Sequence, residues 1–117
     1  MEIKKAWEFK TEQTMTVDDK VFNIHECIRL SADLPVIDLD IDTMNIRYCS
    51  PCDNAVRSFV EHMKSVMDAD LQYPILLDQD GYIIDGRHRL CKALYLGEKT
   101  IKAMRFNSDD DASFTWK

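Results

Sequence analysis

The pattern of apolar and polar positions divides the chain into short elements. The clearest is a helix from Asp53 to Met67, where Val56, Phe59, Val60, Met63, Val66 and Met67 recur at three- and four-residue spacing. Asp53 or Ser50 supplies its cap. Glu61, His62, Lys64 and Ser65 take the outer face, and the apolar stripe is predicted to fill the core. Val21 to Leu34 reads as another helix, with Ile24, Cys27, Ile28 and Leu30 on its apolar side and His25 exposed. Asn23 followed by Glu26 has the spacing of a capping box. Val36 to Asp42 alternates aliphatic residues with aspartate, the period-two signature of a half-exposed strand.

The stretch from Tyr73 to Phe106 organises the rest. Pro74 to Asp78 reads as a short buried strand and Gln79-Asp80-Gly81 as a tight turn. Tyr82 to Ile84 returns as a second strand, and Asp85-Gly86 breaks it. Arg87 to Leu96 is a predicted helix with Leu90, Ala93 and Leu94 on one face, Gly97 is its stop, and Thr100 to Phe106 is a further strand. Lys5 to Lys10 alternates like a strand, and polar Thr11 to Lys20 reads as a loop. Asn107 to Ser113 is acidic and polar, and Phe114 and Trp116 are expected to dock as a last strand. The succession predicts one small α+β domain over residues 1–117, a mixed sheet with packed helices. Its core is expected over about 21–106, with an acidic tail over 107–117.

Composition narrows the functions. The chain has 117 residues, 45% of them hydrophobic, enough for one modest core. Its formal charge of −6 argues against extensive non-specific DNA binding, which needs a basic face. No apolar run approaches a membrane span, and Met1 to Trp7 lacks the apolar segment of a secretory signal, so a cytoplasmic location is expected. Cys49 and Cys52 form a single CxxC without a second pair, so the four cysteines read as free thiols and no metal site is expected. Asp38, Asp40 and Asp42 would share one strand face about 7 Å apart, too far for one ion, and read as a solvent face.

Candidate chemistry gathers at Asp85-Gly86-Arg87-His88-Arg89. The first amides of a helix carry partial positive charge and lack internal partners. Gly86 permits a sharp turn and close approach of a ligand. Cations at a helix start have the wrong sign for its dipole, where acids contribute roughly 0.3–1 kcal/mol each, so three in succession imply that an anion is expected. Arg87 and Arg89 would neutralise a phosphate, and His88 would donate a hydrogen bond or act as acid or base. Asp85 is the nearest carboxylate for a base or a Mg²⁺ contact, or else the cap of the helix.

These residues carry a family resemblance. Pro74-Ile75-Leu76-Leu77, Gly81-Tyr82-Ile83-Ile84-Asp85-Gly86-Arg87-His88-Arg89-Leu90, Ala93 and Gly97 resemble the ParB/sulfiredoxin-like domain, also called the ParB-like nuclease domain. The resemblance runs from about Asp70 to Phe106 and more weakly from Val21 to Met67. Asn45-Ile46-Arg47 is similar to that family's Asn-Pro-Arg box, with Ile46 in place of proline, which implies Arg47 as a second phosphate contact. The family's Gly-Glu-Arg-Arg box falls on Gly86 to Arg89, and the nucleophilic cysteine of sulfiredoxins falls on Arg87. With neither Cys nor Glu at 87, the anion-binding half of the site is what remains.

The resemblance implies a nucleotide- or phosphate-binding domain, with Mg²⁺ and a nucleoside triphosphate such as CTP or ATP as the implied cofactor, and phosphoryl transfer or nucleotide hydrolysis as the reaction class if the chain is an enzyme. The alternative is a non-catalytic adaptor or inhibitor with a protein partner. A nuclease ranks lower, because no clustered carboxylates mark a metal centre in the sequence. The helix-turn-helix and dimerisation regions of chromosome-partition proteins are not expected within the eleven residues that follow Phe106.

Overall fold

The computed structural model describes residues 13–44 and 55–116. Among them, seven strands and three α-helices form an α+β fold with two sheets: β1 (Thr14–Val17), β2 (Lys20–Asn23), α1 (Ile24–Leu30), β3 (Ile37–Asp40), α2 (Val56–Asp68), β4 (Ile75–Leu77), β5 (Ile83–Asp85), α3 (Arg87–Tyr95), β6 (Thr100–Arg105) and β7 (Phe114–Trp116).

The larger sheet is mixed and has the order β3-β6-β4-β5. Strand β6 runs antiparallel to β3 and parallel to β4, and β4 pairs antiparallel with β5. The central strands alternate between two cores. Ile75, Leu77 and Ile83 point with Ile101 and Ala103 into a cluster capped by Leu90 and Ala93 of α3. Leu76 and Ile84 point the other way, onto Phe22, Ile24, Cys27 and Phe106. A sheet covered on both faces needs continuous apolar runs rather than alternation, which is why Ile75-Leu76-Leu77 and Ile83-Ile84 contain no polar residue. The expectation of one sheet with helices packed on it is refined accordingly: α3 covers one face, and α1 with a second sheet covers the other.

That second sheet has the order β1-β2-β7, all antiparallel. It corrects the reading at both ends of the chain. Residues 13–20, expected as a loop, and Val21-Phe22, expected as helix, form the β1–β2 hairpin, with Asp18 at φ 53 in its turn. Helix α1 begins after Asn23, whose side chain accepts the Glu26 amide at 2.9 Å, and ends at Leu30 rather than Leu34. Phe114 to Trp116 does dock as a strand, opposite Lys20 to Phe22. The segment after Phe106 is therefore part of the fold: Asp109 is buried, and the ring of Phe114 packs 5.6 Å from that of Phe22.

The expected turn and stop hold. Asp78 accepts the Gly81 amide, and its Oδ1 takes the Asp80 and Tyr82 amides at 2.9 Å each. Helix α3 closes with Gly97 N–H donating to Leu94 O and Glu98 N–H to Ala93 O, a Schellman pair.

Helix α2 departs most from expectation. No residue of it is buried. Val56, Phe59, Val60, Met63 and Met67, predicted as core, are all more than half exposed. The less exposed side carries Ser58, His62, Val66 and, just beyond, Ala69, and this side meets α3. The periodicity identified the helix correctly and its buried face wrongly. Amphipathicity shows that a helix has an apolar face, not which surface covers it.

Candidate functional site

A cleft of about 330 Å³ opens at the start of α3. Its floor is Asp85, Gly86, Arg87, His88 and Arg89, and Ser65, Ala69 and Asp70 from the end of α2 form one wall. Gln13, Thr14 and Met15 of the N-terminal hairpin, with Ile24, form the other. Arg87 also lines a second cleft of about 350 Å³ with Met15, Val17, Asp18 and Tyr82. The fold thus gathers five of the six residues expected for the site. Arg47, the sixth, lies outside the described residues, as do Cys49 and Cys52.

Gly86 is the N-cap of α3, at φ 111, so no side chain caps the helix. Asp85 does not take that role. It pairs instead with Arg89 one turn on, Nη2 to Oδ2 at 2.9 Å, with both side chains largely covered. Gly86 lines the cleft, and on the side where an L side chain would stand it packs against β4. A β-carbon there would stand 2.5 Å from Ile75 Cγ2 and 2.9 Å from Ile75 Cβ. The packing of the helix start on β4 requires a glycine at this position. The uncapped amides remain the donors of this corner.

The cationic cluster is less basic than the sequence suggests. The Asp85 carboxylate offsets the Arg89 guanidinium, and Asp70 adds a second acid to the lining. His88 is held below its ordinary pKa, first by burial and then by His62, Arg87 and Arg89, so at pH 7 it is neutral. Arg89 nevertheless keeps one unmet demand: its Nε is buried and has no hydrogen-bond partner among the described residues. A buried donor left unmade costs about 1–3 kcal/mol, so an acceptor brought to it is favoured.

His62 was not expected here. The sequence put it on the outer face of its helix, yet its Nδ1 lies 2.7 Å from His88 Nε2 and the two rings stand 5.0 Å apart. One imidazole donates to the other, so the tautomers of the two rings are coupled. Lys92 strengthens the same junction by donating to the carbonyls of Met67 and Ala69 at 2.9 and 2.6 Å. A histidine four residues from Ser58 and seven from Ala69 marks the small, polar side of α2. That is the one sequence signal that this side packs closely.

A second polar cluster also escaped the sequence. Asp78, Asp80 and Asp109 bring carboxylate oxygens within 4.8 Å of one another across the β4–β5 turn and the C-terminal segment. Lys20 pairs with Asp109, and its ammonium is held above its ordinary pKa by that hydrogen bond and by the three carboxylates. Gln79 closes the knot, its amide donating to Asp109 Oδ1 and its Oε1 accepting the Asp109 amide. Lys20 supplies here the positive charge that a cation would. The expectation that no carboxylates cluster is corrected: residues far apart in the chain meet only through the fold.

Of the expected acid face, Asp40 accepts the Asp42 amide and caps a single 3₁₀ turn. Cys27 is buried, with its thiol pushed up by burial and in contact with Ser113. No helix among the described residues is long and apolar enough to cross a membrane. No family model, curated protein or solved structure matches the chain.

Proposed function

We propose that this chain binds a nucleotide or another phosphorylated small molecule in the cleft at the start of α3. The observation that carries the reading is the pairing of an uncapped helix start with a buried, unpartnered Arg89 Nε on one floor. A phosphate oxygen would accept from the α3 amides and from Arg89, and Arg87 would add charge at the rim. The resemblance of Gly86 to Arg89 to the anion-binding half of the ParB-like box supports the same assignment.

The residues fit the phosphate better than a Mg²⁺ ion. Asp85 is engaged by Arg89, and Asp70 accepts the Gln72 amide at 2.9 Å. A nearby guanidinium disfavours a cation at Asp85. His88, neutral and held by His62, is suited to accept a proton rather than to donate one.

The test is a thermal-shift series with CTP, ATP, GTP, ADP and inorganic phosphate, each with Mg²⁺ and with EDTA. A ligand at about 100 times its Kd stabilises the fold by about 2.7 kcal/mol, a shift of several degrees. The expected result is a shift from at least one phosphate ligand that survives EDTA, disappears in Arg89→Ala and grows in Asp85→Asn, which frees Arg89 from its internal acid. No shift from any of them, or a shift undiminished in Arg89→Ala, refutes the reading. A shift that requires Mg²⁺ and is lost in Asp85→Asn would instead point to that carboxylate as a metal ligand.

A further inference from the structure

The cleft at the start of α3 has a neighbour of a different character. The second cleft, of about 350 Å³, lies between the β1–β2 hairpin and the residues that lead into β5. Met15 and Arg87 line both clefts, so the two meet at these side chains. Each is at the small end of the range for ligand sites, roughly 300–1,000 Å³. The walls of the second are largely apolar. Met15 and Val17 stand two positions apart on β1 and share one face, with part of each packed on the cluster around Phe22. Ile83 is buried and Tyr82 half-buried. The backbone of Tyr82 is held in both directions by Asp78: its carbonyl accepts the Asp78 amide at 2.8 Å, and its amide donates to Asp78 Oδ1 at 2.9 Å. The wall that carries the Tyr82 side chain is therefore built before any ligand arrives.

Charge limits what the first cleft can hold. Among the described residues that line it, Arg87 and Arg89 stand against Asp70 and Asp85, and His88 is neutral at pH 7. The side chains sum to zero, and only the α3 amides add partial positive charge. A phosphomonoester carries about −1.5 to −2 at pH 7. Each further phosphate of a di- or triphosphate adds more negative charge, and among the described residues no other lysine or arginine lines either cleft to meet it. Asp18 adds a further carboxylate to the second cleft, so a polyphosphate extended that way is repelled.

We propose that the ligand is a phosphomonoester with a flat aromatic part, its single phosphate in the cleft at α3 and its ring in the cleft between Met15, Val17 and Tyr82. The inference rests on the phosphate-binding reading above and adds the class of ligand, a nucleoside monophosphate or an aryl phosphate rather than a triphosphate. Arg87 stands where the two clefts meet. A guanidinium donates along its edge to phosphate and stacks by its face on a ring, so this one side chain can serve both parts. The Met15 thioether suits the edge of an aromatic ring. A rigid ring also covers apolar wall at little cost in lost rotamers.

The test is isothermal titration calorimetry of the full chain at pH 7 in phosphate-free buffer with EDTA. The ligands are inorganic phosphate, phenyl phosphate, AMP, adenosine and ATP. Phenyl phosphate or AMP is expected to bind at least about 10-fold more tightly than inorganic phosphate. An advantage for AMP points to a nucleotide, and one for phenyl phosphate to an aryl ester. ATP is expected to bind no more tightly than AMP, and adenosine more weakly. Tyr82→Ala and Val17→Ser are each expected to bring the ratio of ester to inorganic phosphate affinity toward one, and Arg89→Ala to abolish binding of every phosphate ligand. A melt of each variant confirms that it is folded, Val17→Ser being the milder change. Inorganic phosphate as tight as both esters, ATP more than about 10-fold tighter than AMP, or a ratio unmoved in both Tyr82→Ala and Val17→Ser overturns the proposal and leaves the phosphate-binding reading standing. Adenosine as tight as AMP, or no binding by any phosphate ligand, overturns both.

Discussion

Gly86→Ala tests whether the helix start is positioned by packing against β4. Two costs are legible in the structure. The residue sits at φ 111, where an L side chain meets its own backbone at about 1–2 kcal/mol. The added methyl would also stand 2.5 Å from Ile75 Cγ2 and 2.9 Å from Ile75 Cβ, on a fully buried residue in the middle of the sheet. A Cβ belongs to the strand and cannot rotate away, so β4 or α3 must shift, as in overpacked cores, for about 1–3 kcal/mol. Against this, alanine lowers the entropy of the unfolded chain by about 0.4–1 kcal/mol. The net loss is about 1–4.5 kcal/mol.

Gly97→Ala is the internal control. Gly97 also has a positive φ, 75, but nothing lies within 4 Å of its would-be methyl, so only the backbone cost applies. It should lose no more than about 1.5 kcal/mol after the entropy gain. Urea unfolding at pH 7 with matched slopes reads both values, and a melt should place Gly86→Ala roughly 10 °C below wild type. Equal losses in the two variants would refute the packing explanation.

Two further outcomes follow from titratable groups. Asp78 is buried, and burial raises its carboxyl above the ordinary value despite the Tyr82 and Asp80 amides it accepts. The native state therefore binds more protons than the unfolded chain above about pH 4, and stability falls as pH rises through the raised value. Asp78→Asn keeps an oxygen for both amides and removes the charge, so it should be more stable than wild type at pH 7 and lose that slope in urea titrations; a less stable variant would count against the assignment. His88 has the opposite sign. Its native value lies below the unfolded value of about 6.5, so stability falls as pH drops below that point. His62→Ala removes one of the groups that lower it, so the ¹⁵N-detected titration of His88 should move up and the acid sensitivity should lessen; an unmoved titration would mean that the 2.7 Å contact does not form in solution.

The sequence by itself determined the elements whose signals are local. The Asp80-Gly81 turn, the Asn23 cap, the Gly97 stop and the apolar runs of β4 and β5 depend on residues a few positions apart, and each forms where the pattern placed it. So does the helix start at Gly86 to Arg89, because a helix start and its first side chains are one contiguous stretch. Tertiary structure decided what needed distant partners. The β1–β2 hairpin is a strand pair because Phe114 to Trp116 returns to cover its edge, and nothing within residues 13–23 announces that. Asp85 became the partner of Arg89 rather than a cap because the packing of Gly86 on Ile75 fixed the helix start. His62 met His88, and Asp109 met Asp78, across separations that no local period encodes. The face of α2 is the plainest case: periodicity states that an apolar stripe exists, while the surface that covers it is a property of whatever packs there.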